Sequence, residues 1–339
     1  MNRKKKNIGK NFIGALAIPL LSAIVLQGIC MCHGRTMITN ATSFHNFVVY
    51  TAIVMITTIA LSINLNSGRF DFSLGSMAAL SSVIGAKITY SILSGGQGSA
   101  VVMLLITILV GAILGLLSGL LYIALRLPPI ITSLGVTLIY EGILFTITSG
   151  RYVMKEVQNP SMTAFTGHWI YAGIMIVLVL IICIFLFDDT RFGYEYNALK
   201  QGQKVAVNTG IKEIPNAIAC YVFCGGLMGI VGFLNAARST TINGGQLNFG
   251  SISIMFTAFL PMFIGSYIGR FVNEKVGYLF AALCMSMLNS TFAVFSNEIS
   301  ASMQAIINAV LLVVFLIYLS NEHLLFTLLK KSAVDQKKA

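Results

Sequence analysis

Residues 100–125 read AVVMLLITILVGAILGLLSGLLYIAL and contain no charged side chain. A run of about 20 apolar residues is long enough to cross the hydrocarbon core of a membrane as a helix. Similar runs recur along the chain, and the mean hydropathy is +0.85 with only 10% charged residues. A soluble domain carries about a quarter charged residues, so that class is excluded. The sequence predicts an all-α, polytopic membrane protein surrounded by lipid.

The apolar runs predict about ten transmembrane helices. They lie at residues 12–32, 46–65, 71–93, 100–125, 129–148, 168–187, 215–237, 249–269, 276–295 and 301–320. With the N-terminus inside, seventeen of the 22 lysines and arginines fall on the cytoplasmic side. The four that fall outside are Arg35, Arg151, Lys155 and Arg238. Cytoplasmic connections carry such an excess of positive charge, so both termini are predicted to be cytoplasmic and no nucleic-acid partner is needed to explain the charge.

Residues 1–339 are interpreted as a single transmembrane domain with one long polar connection. That connection, residues 188–214, reads DDTRFGYEYNALKQGQKVAVNTGIKEI. Helix connections of two to eight residues are usual in bundles, so a longer one on the positive side is more typical of a docking element. We expect a short helix outside the bilayer here. The alternative is a plain solvated connector.

Two segments of the chain resemble each other. GRFDFSLGS at 68–76 and GGQLNFGS at 244–251 each place a polar residue and then Gly-Ser before an apolar run. Because they would enter the membrane from opposite faces, they predict an inverted repeat of five plus five helices, unless the match is a coincidence of glycine-rich connections. The residues predicted to line or shape a polar solute pathway are Asp71, Ser73, Gly75, Ser76, Asn248, Gly250 and Ser251. For Asp71 the alternative is an ordinary helix cap at the membrane surface beside Arg69.

Other sequence patterns exclude several functions. The chain has no phosphate-binding G-x-x-x-x-G-K-[ST] motif and no cluster of zinc ligands, so neither a catalytic site, a metal site nor a cofactor is expected. The glycines of GGLMGIVG (225–232) are interpreted as a site of close helix approach. Two ionisable groups lie within predicted spans. Glu141 either lines a cavity or gate or marks the end of a span, and Lys87 is expected to extend towards the membrane surface.

Three segments resemble one known family. FDFSLGSMAALSSVIGA (70–86), RFGYEYNALKQGQKVAVNTGI (191–211) and GGLMGIVGFLNAARSTTINGG (225–245) are similar to segments of the permeases of ribose-type ATP-binding-cassette importers. That family also includes autoinducer-2 and nucleoside permeases, and the resemblance covers roughly residues 45–320.

The resemblance implies a non-enzymatic transport subunit in a bacterial inner membrane. It implies ATPase subunits, an extracytoplasmic solute-binding protein and a second permease, identical or different, as partners. The solute would be a sugar or similar polar molecule. The segment 191–211 would contact the ATPase. Its residues that match the family are Phe192, Gly193, Ala198, Ala206, Gly210 and Ile211.

The chain departs from the family at two places. Residues 256–269 contain Pro261 and lack the usual Gly-Gly, and residues 200–203 read Lys-Gln-Gly-Gln instead of Gly-Gly-Asn-Glu. These differences leave the solute open. Alternatives are an ion-coupled secondary transporter, or a permease for branched-chain amino acids or nucleosides within the same superfamily.

Overall fold

A computed structural model describes the backbone of residues 8–335 and the side chains of residues 14–321. It divides into two compact units, Met1–Thr291 and Phe292–Ala339. The side chains of the basic clusters at residues 3–10 and 330–338, on which the predicted cytoplasmic termini depend, lie outside the described residues. Within the described part, helices are joined by turns, and Val153 and Ile242 form one isolated antiparallel bridge.

Nine helices of the described chain are long and apolar enough to cross a membrane. They are α1 (Ile8–Cys32), α2 (Ala41–Asn66), α3 (Leu74–Leu93), α4 (Ser99–Leu125), α5 (Pro129–Thr148), α7 (Ile170–Ile184, continued by a π-helical turn, Phe185–Asp189), α10 (Glu213–Ser239), α13 (Glu274–Val294) and α14 (Ala301–Asp335). The short helices are α6 (Pro160–Thr166), α8 (Arg191–Gln201), α9 (Gln203–Asn208), α11 (Ile252–Phe256) and α12 (Phe259–Ile268). The prediction of an all-α, multi-pass membrane protein with about ten spans is confirmed.

The predicted span at residues 249–269 is not one continuous helix. It consists of α11 and α12, which are separated by a turn at Thr257 and Ala258. Proline has no N–H, so Pro261 cannot donate to the carbonyl of Thr257 four residues earlier, and its ring crowds that carbonyl. The helix therefore breaks one turn before Pro261.

Contacts within the first unit bring the inter-helix connections together in two groups. Connections predicted to be cytoplasmic contact one another. These contacts are Arg69 Nη2 to Glu213 Oε1 at 3.9 Å, Lys200 Nζ to Glu274 Oε2 at 3.0 Å, and the ion pair of Lys275 with Asp188. Groups predicted to lie towards the outer side also contact one another. These contacts are Gln158 Nε2 to the Thr240 carbonyl at 3.0 Å, Thr148 Oγ1 to the Gly244 carbonyl at 3.0 Å, and Lys87 Nζ to the Ile147 carbonyl at 3.1 Å.

The closest helix packing joins α4 to α10 through glycines. A Cβ at Gly225 would lie 2.2 Å from the carbonyl oxygen of Gly111, and a Cβ at Gly111 would lie 2.3 Å from the carbonyl oxygen of Gly225. Gly115 and Gly229 make backbone approaches of the same kind, to Tyr221 and Thr107. In lipid, where apolar burial gives helices no advantage over contact with lipid tails, such close packing is a main source of association. The predicted close approach is confirmed for Gly225, Gly229 and Gly232, whereas Gly226 makes only ordinary contacts.

Replacing Gly225 with alanine should destabilise the protein, because the added methyl group would collide with the Gly111 carbonyl. Overpacking of this kind costs about 1–3 kcal/mol. The measurement is the temperature at which half of the detergent-purified protein stays monodisperse. Gly226→Ala is the matched control, since its Cβ would meet only ordinary contacts at 3.9 Å. Equal midpoints for the two variants would contradict the packing argument.

Candidate functional site

The two similar segments, 68–76 and 244–251, meet in the structure. A Cβ at Gly75 would lie 2.0 Å from the carbonyl oxygen of Ser251, so no side chain fits at residue 75 unless the backbone moves. Gly75 is in the first turn of α3, and Ser251 directly precedes α11. The fold thus brings together the starts of two helices that are remote in sequence.

The start of α3 is organised by the carboxylate of Asp71, which is fully buried. Its Oδ1 accepts hydrogen bonds from the Ser73 backbone N–H at 2.8 Å and from Ser73 Oγ at 2.6 Å. The amide of Asn64, in the last turn of α2, donates to Oδ2 at 3.4 Å. Hydrogen bonds to a charged group contribute about 1.5–3 kcal/mol each, so this carboxylate fixes the turn that begins the helix. Asp71 therefore stands two residues before the helix cap Ser73 rather than at the cap itself.

The start of α11 is organised by a second buried carboxylate, Glu141 of α5. Its Oε1 accepts hydrogen bonds from Ser251 N at 2.8 Å and from Ser251 Oγ at 2.6 Å, while Oε2 accepts one from Phe249 N at 2.9 Å. Asn248 and Phe249 have φ values of +55° and +66°, which turn the chain back towards α5. Glu141 was expected either to line a cavity or gate or to mark the end of a span. In the structure it holds the second segment in place.

The predicted pathway residues divide into two groups. Asp71, Ser73, Ser76 and Ser251 are buried. The first three make hydrogen bonds within the first segment, and Ser251 donates to Glu141 of α5. Asn248 and Gly250 are exposed on the connection that leads to α11. The role of these residues in solute transport stays a prediction. Nothing in the sequence indicated that Glu141 contacts the second segment.

Beside the two segments, α3 and α10 enclose a cavity of about 340 Å³. Polar side chains on its wall belong to Ser82, Tyr152, Asn235, Ser239, Thr241, Asn243 and Gln246. Ile254 of α11 also borders it, so the cavity adjoins the second segment. None of the predicted pathway residues lines it, and none of its polar residues was singled out from the sequence.

The polar connection at residues 188–214 is folded and anchored. Gly193 packs on the π-helical turn, where a Cβ would lie 2.3 Å from the Phe187 carbonyl oxygen. Tyr196 of α8 donates from its hydroxyl to the Ile63 carbonyl of α2 at 3.0 Å, and its ring contacts the ring of Phe187 with the centroids 5.0 Å apart. Together with the ion pair of Lys200 and Glu274, these contacts fix α8 against α2 and α13. The connection holds two short helices where one was predicted.

Most residues that match the family pattern in this connection face the protein. Gly193 and Ala206 are buried, and only Gly210 is exposed. The remaining three, Phe192, Ala198 and Ile211, are partly buried. In α8 and α9 the large apolar side chains that reach the surface are those of Tyr194, Val205 and Val207, with exposed fractions of 64%, 70% and 42%. The family pattern therefore identified mainly residues that pack against the protein and did not identify the apolar residues at the surface of this segment.

A buried arginine connects this segment to the start of α3. Arg69 is 2% exposed, and its guanidinium forms an ion pair with Glu213 at 3.9 Å. Gln203 of α9 donates a hydrogen bond to the same Glu213 carboxylate. None of the three guanidinium nitrogens has a hydrogen-bond partner within the described part of the chain. Since Arg69 is two residues before Asp71, the contacts run from α9 to the turn that begins α3.

Comparison with known families decides the class of this bundle. A family model described as "Branched-chain amino acid transport system / permease component" matches residues 43–319. The chain belongs to this permease family. The match runs from α2 into α14 and includes both segments and the connection between α7 and α10. The permease is therefore a multi-pass membrane protein with a transport role rather than an enzymatic one.

Several curated proteins are similar to this permease. The galactose/methyl galactoside import permease protein MglC of Haemophilus influenzae is 26% identical over 236 residues, which cover 63% of this chain and 68% of the relative. The autoinducer 2 import system permease protein LsrC of Yersinia pseudotuberculosis is 22% identical, over 80% of this chain and 78% of the relative. The fructose import permease protein FruG of Bifidobacterium longum is 20% identical, over 88% of this chain and 90% of the relative. No solved structure matches the permease.

Replacing Glu141 with glutamine should destabilise the protein, because an NH₂ group would replace one of the two oxygens that accept from Ser251 and Phe249. The expected cost is about 1.5–3 kcal/mol. The loss of stability is measured as a decrease in the temperature at which half of the purified protein stays monodisperse. Glu156→Gln, at a partly exposed position, is the control and should leave the midpoint unchanged. If Glu141→Gln behaved like this control, Glu141 would not be the group that holds the second segment.

Proposed function

We propose that this permease is the membrane-spanning subunit of an ATP-binding-cassette importer for a sugar or a similar polar solute. The family match over residues 43–319 supports the proposal, as do relatives whose names describe import permeases for galactose, autoinducer 2 and fructose. The observation that carries it is the folded connection of α8 and α9, which is anchored to the bundle and exposes apolar side chains.

The proposal assigns the remaining tasks to partners. Separate cytoplasmic ATPase subunits hydrolyse ATP, and an extracytoplasmic binding protein delivers the solute. A second permease, identical or different, completes the translocation pathway. The protein lies in the bacterial inner membrane with both termini in the cytoplasm, an orientation supported by the excess of lysine and arginine in the connections on that side.

The exposed side chains of Tyr194, Val205 and Val207 form the docking surface for the ATPase, which we call the α8–α9 surface. Tyrosine is enriched among the residues that dominate binding energy at interfaces, because its ring buries a large area and its hydroxyl still finds a partner. The anchors at Tyr196 and Lys200 make this surface rigid, so a push on it moves α2 and α13 instead of being absorbed by a loose loop.

A chain of polar contacts carries that movement towards the solute pathway. Gln203 on α9 contacts Glu213, Glu213 pairs with Arg69, and Arg69 leads into the turn held by Asp71. Within a low-dielectric interior an unpaired charge is costly, so Arg69 and Glu213 resist separation. Motion of α9 and motion at the start of α3 are thereby coupled.

The alternative of an ion-coupled secondary transporter is disfavoured by the state of the buried carboxylates. Asp71 and Glu141 both accept hydrogen bonds from backbone amides and serine hydroxyls. A carboxylate that carries protons or sodium ions through a transport cycle must exchange its partners, whereas these two hold helix starts in place.

Tyr194→Ala should reduce the amount of ATPase subunit that co-purifies with the permease by about tenfold, the effect of losing roughly 1.4 kcal/mol of interface energy. The measurement is the ratio of ATPase to permease after affinity purification from cells that express both. Tyr152→Ala is the matched control, because Tyr152 has a similar exposed fraction, 59%, and lies in the connection predicted to be outside the cell. Equal ratios would remove Tyr194 from the docking surface, and an absence of any ATPase with the wild-type permease would contradict the importer proposal.

Glu213→Gln should leave the complex assembled but reduce solute uptake per ATP hydrolysed by about tenfold, the effect of weakening one charged contact by roughly 1.4 kcal/mol. The physical reason is loss of the charge that pairs with the buried Arg69. Uptake and ATP hydrolysis are measured together in vesicles that contain permease, ATPase and binding protein.

Glu195→Gln is the control for this variant. Its ion pair with Arg191 spans one turn of α8 and is exposed on the arginine side, so its loss should change neither quantity. If Glu213→Gln kept the wild-type ratio of uptake to hydrolysis, the contact with Arg69 would not transmit the movement.

A further inference from the structure

Four phenylalanine rings connect the start of α3 with α11 and α12. Phe70 and Phe72 come just before α3, Phe256 ends α11, and Phe259 begins α12. The rings of Phe70 and Phe259 are stacked with their centroids 5.8 Å apart, and those of Phe72 and Phe256 are 6.3 Å apart. On each side the two rings also contact each other, at 4.6 Å for Phe70 with Phe72 and 5.5 Å for Phe256 with Phe259. The four side chains, which we call the phenylalanine cluster, therefore form a closed circuit of contacts with two rings on each side.

The phenylalanine cluster is not part of a buried core. Phe256 is 57% exposed, and the other three side chains are only partly buried. The exposed face of α11 continues from Phe256 to Ser253 and Thr257, whereas Ile252 and Met255 on the opposite face are buried. The cluster thus lies at the edge of an open face of the first unit.

This face lies inside the membrane. Thr148, the last residue of α5, bonds to the Gly244 carbonyl on the side predicted to be outside the cell. Glu141, which holds Ser251, is seven residues earlier on α5 and is therefore about 10 Å deeper, at 1.5 Å per residue. Since the hydrocarbon core is about 30 Å thick, α11 begins about a third of the way across it.

The exposed face of α11 differs from a surface that faces lipid. On α7 the exposed side chains are aliphatic, as at Ile174 and Val177. On α11 they include the hydroxyl groups of Ser253 and Thr257, and the exposed residues 247–250 before them are not helical. Exposed non-helical backbone occurs at membrane depth only where other protein covers it or where it lines a water-filled cavity. The α11 face therefore borders a passage or a second subunit rather than lipid.

We propose that the phenylalanine cluster is an apolar gate that closes the solute pathway on the cytoplasmic side of the contact between the two segments. The inference rests on the proposed importer function and adds to it the element that seals the membrane between transport steps. A narrow constriction lined by apolar rings excludes water, and a polar solute cannot enter it without losing its hydration. Phe72 and the exposed ring of Phe256 narrow the passage, and Phe70 and Phe259 support them from behind.

The contacts of Arg69 connect this gate to the α8–α9 surface. Arg69 directly precedes Phe70, and its guanidinium pairs with Glu213, which Gln203 of α9 also contacts. A movement of α9 that displaces Arg69 therefore shifts the ring of Phe70 away from that of Phe259. Stacked rings have no hydrogen bond or ion pair to break, so the gate can open and close again.

The first test measures leakage through the full-length permease. The protein, with the partners that co-purify, is placed in vesicles loaded with radiolabelled L-glucose. Efflux is followed without ATP and during ATP hydrolysis, so that both ends of the pathway are sampled. Phe72→Ala combined with Phe256→Ala should raise efflux several-fold in at least one condition, because both rings that narrow the passage are removed. Leucine at both positions keeps apolar bulk and should restore most of the seal.

Phe185→Ala is the matched control, since Phe185 is 62% exposed and continues the aliphatic face of α7. It should leave efflux unchanged. Thermal midpoints are measured for all variants, and Phe256→Ala alone decides if the double alanine variant does not fold, because an exposed ring contributes little to stability. Efflux equal to that of the wild type in both conditions would overturn the gate.

Cysteine labelling tests separately whether the α11 face borders water. Ser253→Cys and Val177→Cys are each made in a Cys32→Ser background, because Cys32 is exposed and the other five cysteines are buried. A charged methanethiosulfonate reagent reacts with the thiolate, which does not form in lipid, so residue 253 should react about tenfold faster than residue 177. Equally slow reaction at both positions, with and without ATP, would place the α11 face away from any passage and overturn the proposal.

The outcomes separate this inference from the importer proposal. If the ATPase co-purifies but the alanine variants do not leak, the gate is wrong while the importer function stands. If the variants leak but no ATPase co-purifies, the gate stands and the proposed energy source is wrong.

Discussion

Backbone groups at membrane depth have no water to bond, so a helix that begins inside a bundle needs protein partners for its free N–H groups. Two buried carboxylates, those of Asp71 and Glu141, meet this need for α3 and α11. The contact of Gly75 with Ser251 depends on both, since it requires each segment to be held in a fixed path. Charge that would otherwise be costly in lipid is thus used to stabilise irregular backbone.

The sequence predicted what depends on composition and on short distances along the chain. Apolar run length located the long helices, and the link between Asp71 and the start of α3 was readable because Asp71 and Ser73 are two residues apart. The bond from Ser251 to Glu141 joins residues 110 positions apart, so no local pattern could reveal it. The span at 249–269 was misjudged as continuous because hydropathy outweighed the effect of Pro261.

The connection of α8 and α9 shows a second limit of sequence patterns. Its recognisable residues are small or aromatic, and such residues mark where backbones approach or rings pack, as Gly193 does on Phe187. Surface side chains such as Tyr194 and Val205 leave no comparable signature, because nothing in the chain itself constrains them. A resemblance can therefore locate a folded segment outside the spans while naming the residues that support it rather than those on its surface.

The glycine contacts of α4 with α10 restrict how this bundle can change shape. If α4 slid by one residue, the side chain of Val110 or Ala112 would arrive at the position of Gly111, where only a hydrogen atom fits. The two helices therefore cannot slide along each other, and the pair must move as one rigid body. The bending that any access cycle requires then falls on the connections between helices rather than on the contact of α4 with α10.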